Sequence, residues 1–324
     1  MSLQAIITRM SSSKHRFLTI IQVTSNTTQS IFPSILCTLL LSVIQLECTG
    51  IQEAKTVDSV FMDYDLERIP YHFNIPVATH TLHYDLEEIS GLSYYQNGQL
   101  LAVQDESGTL FVISASDGKI LQKVKFGKSG DYECLELLGD QLFVMKSNGD
   151  LYAWSFPGDG EVSPRKTNTP FTIDNDIEGM GAWDDKLLIV TKASGDIKGN
   201  KVKGKGGYFF DPLTGTLQTP EAFSIEKKDI DRFIENKKYF NALNDFDPSA
   251  VSIHPISKDI YILSADRCIV IMDPNFEIVE VIKLDPKVYK QPEGICFSPQ
   301  GTLYISSEGG GARGRLMEIT YQIK

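Results

Sequence analysis

The chain has 324 residues, 42 acidic against 31 basic side chains, and a formal net charge of −11. That balance excludes a basic nucleic-acid-binding face and suits an acidic soluble surface or a cation ligand. The length allows one large domain or two ordinary ones.

The first fifty residues differ from the rest. Arg9, Lys14 and Arg16 precede a polar patch, and an apolar run follows from Ile35 to Ile44. The run is short for a membrane span and has the length of a signal-peptide core. Cys48 follows closely, where a lipidated cysteine would stand, although Glu47 suits such a cleavage site poorly. Residues 1–50 are expected to be an export signal or a disordered leader. The expected location is the periplasm or outer envelope, with membrane contact only through a lipid at Cys48. Residues 51–75 are mixed and polar and read as a linker with a short strand.

From residue 76 onward the pattern is that of strands. Val77 to His83 alternates and belongs to no complete repeat. Then a unit recurs: a small triplet opens an apolar strand, a turn follows, and a second strand alternates to its end. The triplets are Ser90-Gly91-Leu92, Glu133-Cys134-Leu135, Glu178-Gly179-Met180, Ser249-Ala250-Val251 and Glu293-Gly294-Ile295, at intervals of 43, 45, 71 and 44 residues. Asn97-Gly98, Ser107-Gly108 and Asp117-Gly118 are hairpin turn signals within the first repeat. A period in the low forties with about four strands per repeat is that of a β-propeller.

The fold expected is all-β: a five-bladed propeller over residues 76–324. The last repeat shows three strands, so the strand from Val77 is expected to close the ring as the outer strand of the fifth blade. The 71-residue interval carries Ile230, Phe233, Ile234 and Phe240 at helical spacing. It is read as a helical insertion between repeats three and four, packed over one mouth of the ring, not as a sixth blade. Cys134, Cys268 and Cys296 match no metal spacing and are expected to be buried free thiols.

Inner strands converge at the axis of a propeller. Ser90, Glu133, Glu178, Ser249 and Glu293 therefore meet at one end of the channel, flanked by Glu88, Asp131, Asp176 and Asp247. Asp105 and Glu308 close the second strands of repeats one and five. Clustered carboxylates raise one another's pKa, and a cation relieves the repulsion. Oxygen ligands without a histidine cluster favour calcium over zinc or iron. The candidate metal ligands are Glu133, Glu178, Glu293, Glu88, Asp247, Asp105 and Glu308. The competing reading is a solvated acidic channel.

Glu88-Ile89-Ser90-Gly91-Leu92, Asp131-Tyr132-Glu133, Ile177-Glu178-Gly179-Met180 and Gln291-Pro292-Glu293-Gly294-Ile295 together resemble the SdiA-regulated family. The resemblance implies exported or envelope-associated proteins with a five-bladed propeller and a calcium site, distantly similar to lactonase and paraoxonase propellers. It implies no established reaction. Cys134-Leu135 and Ser249-Ala250 depart from the family pattern, which weakens the ligands expected from repeats two and four.

Two functions fit. One is a calcium-binding module that meets a small molecule or an envelope partner. The other is a metal-dependent hydrolase of esters or lactones. The second wants a general base, and none of His15, His72, His80, His83 and His254 opens an inner strand. A carboxylate such as Glu88, Asp105 or Glu308 would have to serve.

Overall fold

The structure is a computed structural model. It describes residues 59–157, 162–238, 240 and 243–322. The chain divides into residues 1–55 and 56–324, and everything described lies in the second part. The expected signal segment and Cys48 lie outside the described residues.

The fold is the five-bladed propeller read from the repeats. Strand β1 spans Ala78–Thr81. Blade one holds β2 (Ile89–Tyr94), β3 (Gln99–Gln104), β4 (Thr109–Ser114) and β5 (Ile120–Lys125). Blade two holds β6 (Tyr132–Leu138), β7 (Gln141–Lys146), β8 (Asp150–Ser155) and β9 (Arg165–Asn168). Blade three holds β10 (Ile177–Trp183), β11 (Lys186–Thr191) and β12 (Lys205–Asp211). Its outer edge is split between β13 (Thr216–Leu217) and β14 (Phe223–Ile225), both paired with β12. Helix α1 (Lys227–Ile234) follows. Blade four holds β15 (Pro248–Ile253), β16 (Ile260–Ser264), β17 (Cys268–Met272) and β18 (Ile278–Lys283). Blade five holds β19 (Gln291–Phe297), β20 (Leu303–Glu308) and β21 (Arg315–Ile319), and β1 pairs antiparallel with β21 as its outer strand.

Each strand feeds two cores. Alternate side chains point to opposite faces of a blade, and each face meets a neighbouring blade. Leu100 and Ala102 join the wedge between blades five and one, while Leu101 and Val103 join the wedge between blades one and two. Three further clusters fill the remaining wedges. Five sheets that each have two apolar faces can bury both only by closing into a ring. Cys134, Cys268 and Cys296 are buried in these wedges as free thiols.

Two placements differ from the sequence reading. The helix was expected over a mouth. Instead Ile230 and Ile234 are fully buried with Phe223, Ile225 and Val281, so α1 lies against the outer strands of blades three and four. Its buried face meets β14 and β18. The segment read as a linker is also packed. Ile69, Tyr71 and Phe73 are fully buried in the wedge between blades four and five.

Polar contacts fix that segment in register. The Tyr71 hydroxyl donates to the Gly301 carbonyl at 2.6 Å and lies 2.8 Å from His254 Nε2. The Ser257 amide donates to His254 Nδ1, and the Ser257 hydroxyl donates to Asp259. Arg68 completes the chain with two hydrogen bonds to Asp259, at 2.6 and 2.8 Å. His254 is buried, and that burial pulls its pKa down to about 4.

Two outcomes are expected. Tyr71→Ala should cost about 3–5 kcal/mol in denaturant unfolding, the range for deleting a buried aromatic side chain; a cost near zero would mean the segment is not part of the core. The His254 pKa is lower folded than unfolded. Its contribution is therefore present above about pH 6.5 and lost as pH falls from about 6.5 toward 4. The unfolding midpoint should drop over that window in the wild type, and His254→Gln should flatten the drop.

Candidate functional site at the bulged mouth of the channel

The inner strands β2, β6, β10, β15 and β19 contact one another in a closed ring. Each carries a β-bulge at the same place. The register shifts fall between Ile89 and Gly91, Tyr132 and Cys134, Ile177 and Gly179, Pro248 and Ala250, and Pro292 and Gly294. The extra residue is Ser90, Glu133, Glu178, Ser249 and Glu293 in turn. A bulge re-aims a side chain and interrupts the ladder, and bulges are common beside functional sites. Five at one repeat position make this end of the channel the candidate site.

The bulged residues divide by chemistry. The Ser90 hydroxyl donates to the Tyr132 carbonyl and the Ser249 hydroxyl to the Pro292 carbonyl, both at 2.7 Å. These serines therefore stitch one blade to the next and are not free ligands. Glu133, Glu178 and Glu293 are left as the acidic members. The backbone is crowded here: a Cβ on Gly294 would lie 2.3 Å from Ser306 Oγ and 2.7 Å from Leu92 Cβ.

The mouth loops repeat a second hydrogen bond. In blades two, three and four the residue after the second strand donates its amide to the carbonyl two residues before the bulge. Ser147 bonds Asp131, Lys192 bonds Asp176, and Ala265 bonds Asp247. This brings Ser147, Lys192 and Ala265 to the mouth, and Asp105 and Glu308 share their phase by strand register. Asp105 follows β3 and Glu308 ends β20. Lys192 was not anticipated, although it shares their repeat phase.

Lys192 is the principal cation of the site. Its Nζ lies 2.5 Å from Glu178 Oε1, with Glu178 buried and Lys192 largely so. Glu293 and Asp176 also act on it. Lys205 approaches Asp247 at 3.3 Å and donates to the Lys192 carbonyl. Against these two cations stand many carboxylates. Burial, Glu178 and a hydrogen bond to Asp131 push the Glu133 carboxyl up to about 10. Burial pushes Glu178 up to about 7 despite Lys192. Burial and Glu178 push Glu293 up to about 8, and burial with Asp105 and Glu88 brings Glu308 to about 7. Asp105 is raised by burial and Glu106, Asp176 by burial, and the exposed Glu88 by Asp105. One buried oxygen, Asp105 Oδ1, has no hydrogen-bond partner.

Of the seven predicted ligands, Glu133, Glu178 and Glu293 are bulge residues that act on one another. Glu308, Asp105 and Glu88 form a linked group beside them. Asp247 is occupied by Lys205. Among the described residues no three His, Cys, Asp or Glu side chains converge closely enough to hold a metal ion unaided. The donor chemistry still suits a hard cation: oxygen-only, in excess of the local positive charge, and with a buried oxygen lacking a partner.

The site is thus the acidic mouth of a five-bladed propeller. A model of the SdiA-regulated family matches residues 68–183, from the Arg68 clamp through the inner strand of blade three, and the resemblance read from the sequence holds there. Among solved structures, Myxococcus xanthus glutaminyl cyclase is similar at 16% identity and a TM-score of 0.51, covering 76% of this chain and 95% of that one. A luciferin-regenerating enzyme is similar at 12% identity and a TM-score of 0.48, covering 75% and 95%. At such identities the likeness concerns the fold alone. No curated protein matches the chain.

The ion pair can be weighed. Lys192→Met leaves Glu178 buried without its partner. Breaking a buried pair costs about 3–5 kcal/mol, and partial solvent access at Lys192 brings the expected loss to about 2 kcal/mol. Glu178→Gln in the same chain should recover most of it. Additive losses in that double-mutant cycle would contradict the pairing.

Proposed function

We propose that the protein is an exported, calcium-binding propeller that serves as a binding module of the cell envelope, with its ion at the bulged mouth. The observation that carries this reading is the charge imbalance there. Three glutamates are held by bulges at a crowded axis, and Lys192 answers only part of their charge. The raised pKa of Glu133 favours its protonated form when no cation is bound. Glu133, Glu178 and Glu293 would hold the ion, with Asp105 and Glu308 at the rim. A divalent cation would replace protons on these carboxylates and tie blades two, three and five together. The chain's own contribution is to keep those carboxylates desolvated and close.

Export rests on the apolar run from Ile35 to Ile44 and the cysteine that follows it. Among the described residues no helix is long and apolar enough to cross a membrane.

A hydrolase is the second reading, favoured by one observation. Glu178 and Glu308 both sit near pKa 7, where a carboxylate can act as a general base at neutral pH. Among the described residues no histidine is a main influence on these carboxylates. His254 is enclosed by Tyr71, Tyr261, Phe297 and Tyr321.

Calcium titration followed by thermal unfolding tests the reading. At a hundredfold excess over Kd, calcium should stabilise by about 2.7 kcal/mol and raise Tm by roughly 5–10 °C. Glu133→Gln should be at least as stable as the wild type without calcium at pH 8, because a neutral amide avoids the cost of holding this carboxyl protonated, and should lose most of the calcium response. An unchanged wild-type midpoint across millimolar calcium would contradict the proposal.

A further inference from the structure

The other end of the channel holds a second site. Three residues beyond the bulges, about 10 Å along each strand, the same repeat phase carries Ser93, Glu136, Gly181, Ser252 and Cys296. A cavity of about 270 Å³ opens there. Ser93, Glu136, Ala182, Ser252 and Cys296 line it, one from each inner strand. Its lining from all five inner strands, beyond the bulges, makes it the opposite mouth of the channel.

Glu136 is the one carboxylate in that lining. Its Oε1 accepts from the Ser93 hydroxyl at 2.8 Å and from the Leu137 amide at 2.9 Å. The Ala182 amide donates to it as well. Neutral donors thus fix the carboxylate in place, and no cation among the described residues acts on it. Burial raises its pKa to about 7. A positioned carboxylate without a counter-charge costs free energy unless something cationic joins it. Around it the walls are apolar. Tyr94 and Phe297 offer aromatic surface, and Ile253 and Pro255 offer aliphatic surface. The volume lies just under the range of drug-sized pockets, so the occupant is small.

We propose that this mouth binds a small organic cation, a primary ammonium on a short apolar or aromatic body, with the ammonium on Glu136 and the body against Tyr94 and Phe297. The cation meets a desolvated carboxylate on one side and aromatic faces on the other, the two environments that recognise ammonium groups. This site is separate from the bulged mouth and does not rest on the calcium reading.

Phenethylammonium and its neutral analogue phenethyl alcohol are the probes, titrated into the full chain at pH 8.5 by calorimetry. The ammonium should bind with Kd below about 1 mM, at least tenfold tighter than the alcohol. Glu136→Gln should weaken it at least tenfold while melting no lower than the wild type, with whatever calcium response the wild type shows. Ala182→Met, which fills the cavity and leaves the carboxylate, should weaken it equally. Equal binding of the two probes, binding unaffected by either variant, or no binding of the ammonium would overturn the proposal.

Discussion

The structure turns on one constraint: a cluster of buried and half-buried carboxylates at the axis of the propeller with too little positive charge to balance it. Each inner strand reaches the axis through a bulge, and the residue expelled from the ladder is the one that faces its neighbours. Where that residue is a serine, it satisfies a carbonyl of the next blade. Where it is a glutamate, it enters a region from which water is largely excluded. Desolvation then opposes ionisation, and like charges oppose it further. The protein answers with Lys192, a hydrogen bond between Glu133 and Asp131, and raised pKa values across the cluster. An arrangement costly to keep dry and acidic is one that a bound cation would stabilise.

The two mouths of the channel differ in kind. The bulged mouth gathers many acids and few bases, the surroundings proposed here for a hard ion. The opposite mouth holds a single carboxylate supported by neutral donors beside aromatic and aliphatic side chains, the surroundings proposed here for an organic cation. Both follow from the same five strands. Positions three residues apart on a propeller's inner strands lie near opposite ends of its channel, so one repeat pattern can build two unrelated surfaces. The clamp at Arg68, Tyr71 and His254 holds the wedge between blades four and five, next to β19, which carries both Glu293 and Cys296.

Much of this was legible in the residues. The repeat interval near forty-four, the turn glycines and the orphan strand at Val77 were enough for five blades and their closure. The shared phase of Glu133, Glu178 and Glu293 was enough to put them at one end of the axis. Other features were hidden for physical reasons. A bulge depends on how two residues count against one on the partner strand, and a single strand does not show its register. Lys192 stands at the phase of Asp105 and Glu308 and was open to the same argument, but a search for acids passes over a base. Glu136 likewise shares its phase with Ser93, Ser252 and Cys296. Ile69, Tyr71 and Phe73 alternate as a strand would, yet Pro70 and the polar flanks masked the signal. The helix was visible as a helix. Its seat was not, because the split edge of blade three arises from tertiary pairing.

The most direct measurement is a crystal structure of the chain grown with calcium, with anomalous scattering used to locate the ion. The account predicts a calcium peak at the bulged mouth, bound by oxygens of Glu133, Glu178 and Glu293 at 2.3–2.6 Å, with Lys192 displaced from Glu178. A mouth without such a peak, with the Lys192–Glu178 pair intact and Glu133 still bonded to Asp131, would contradict it.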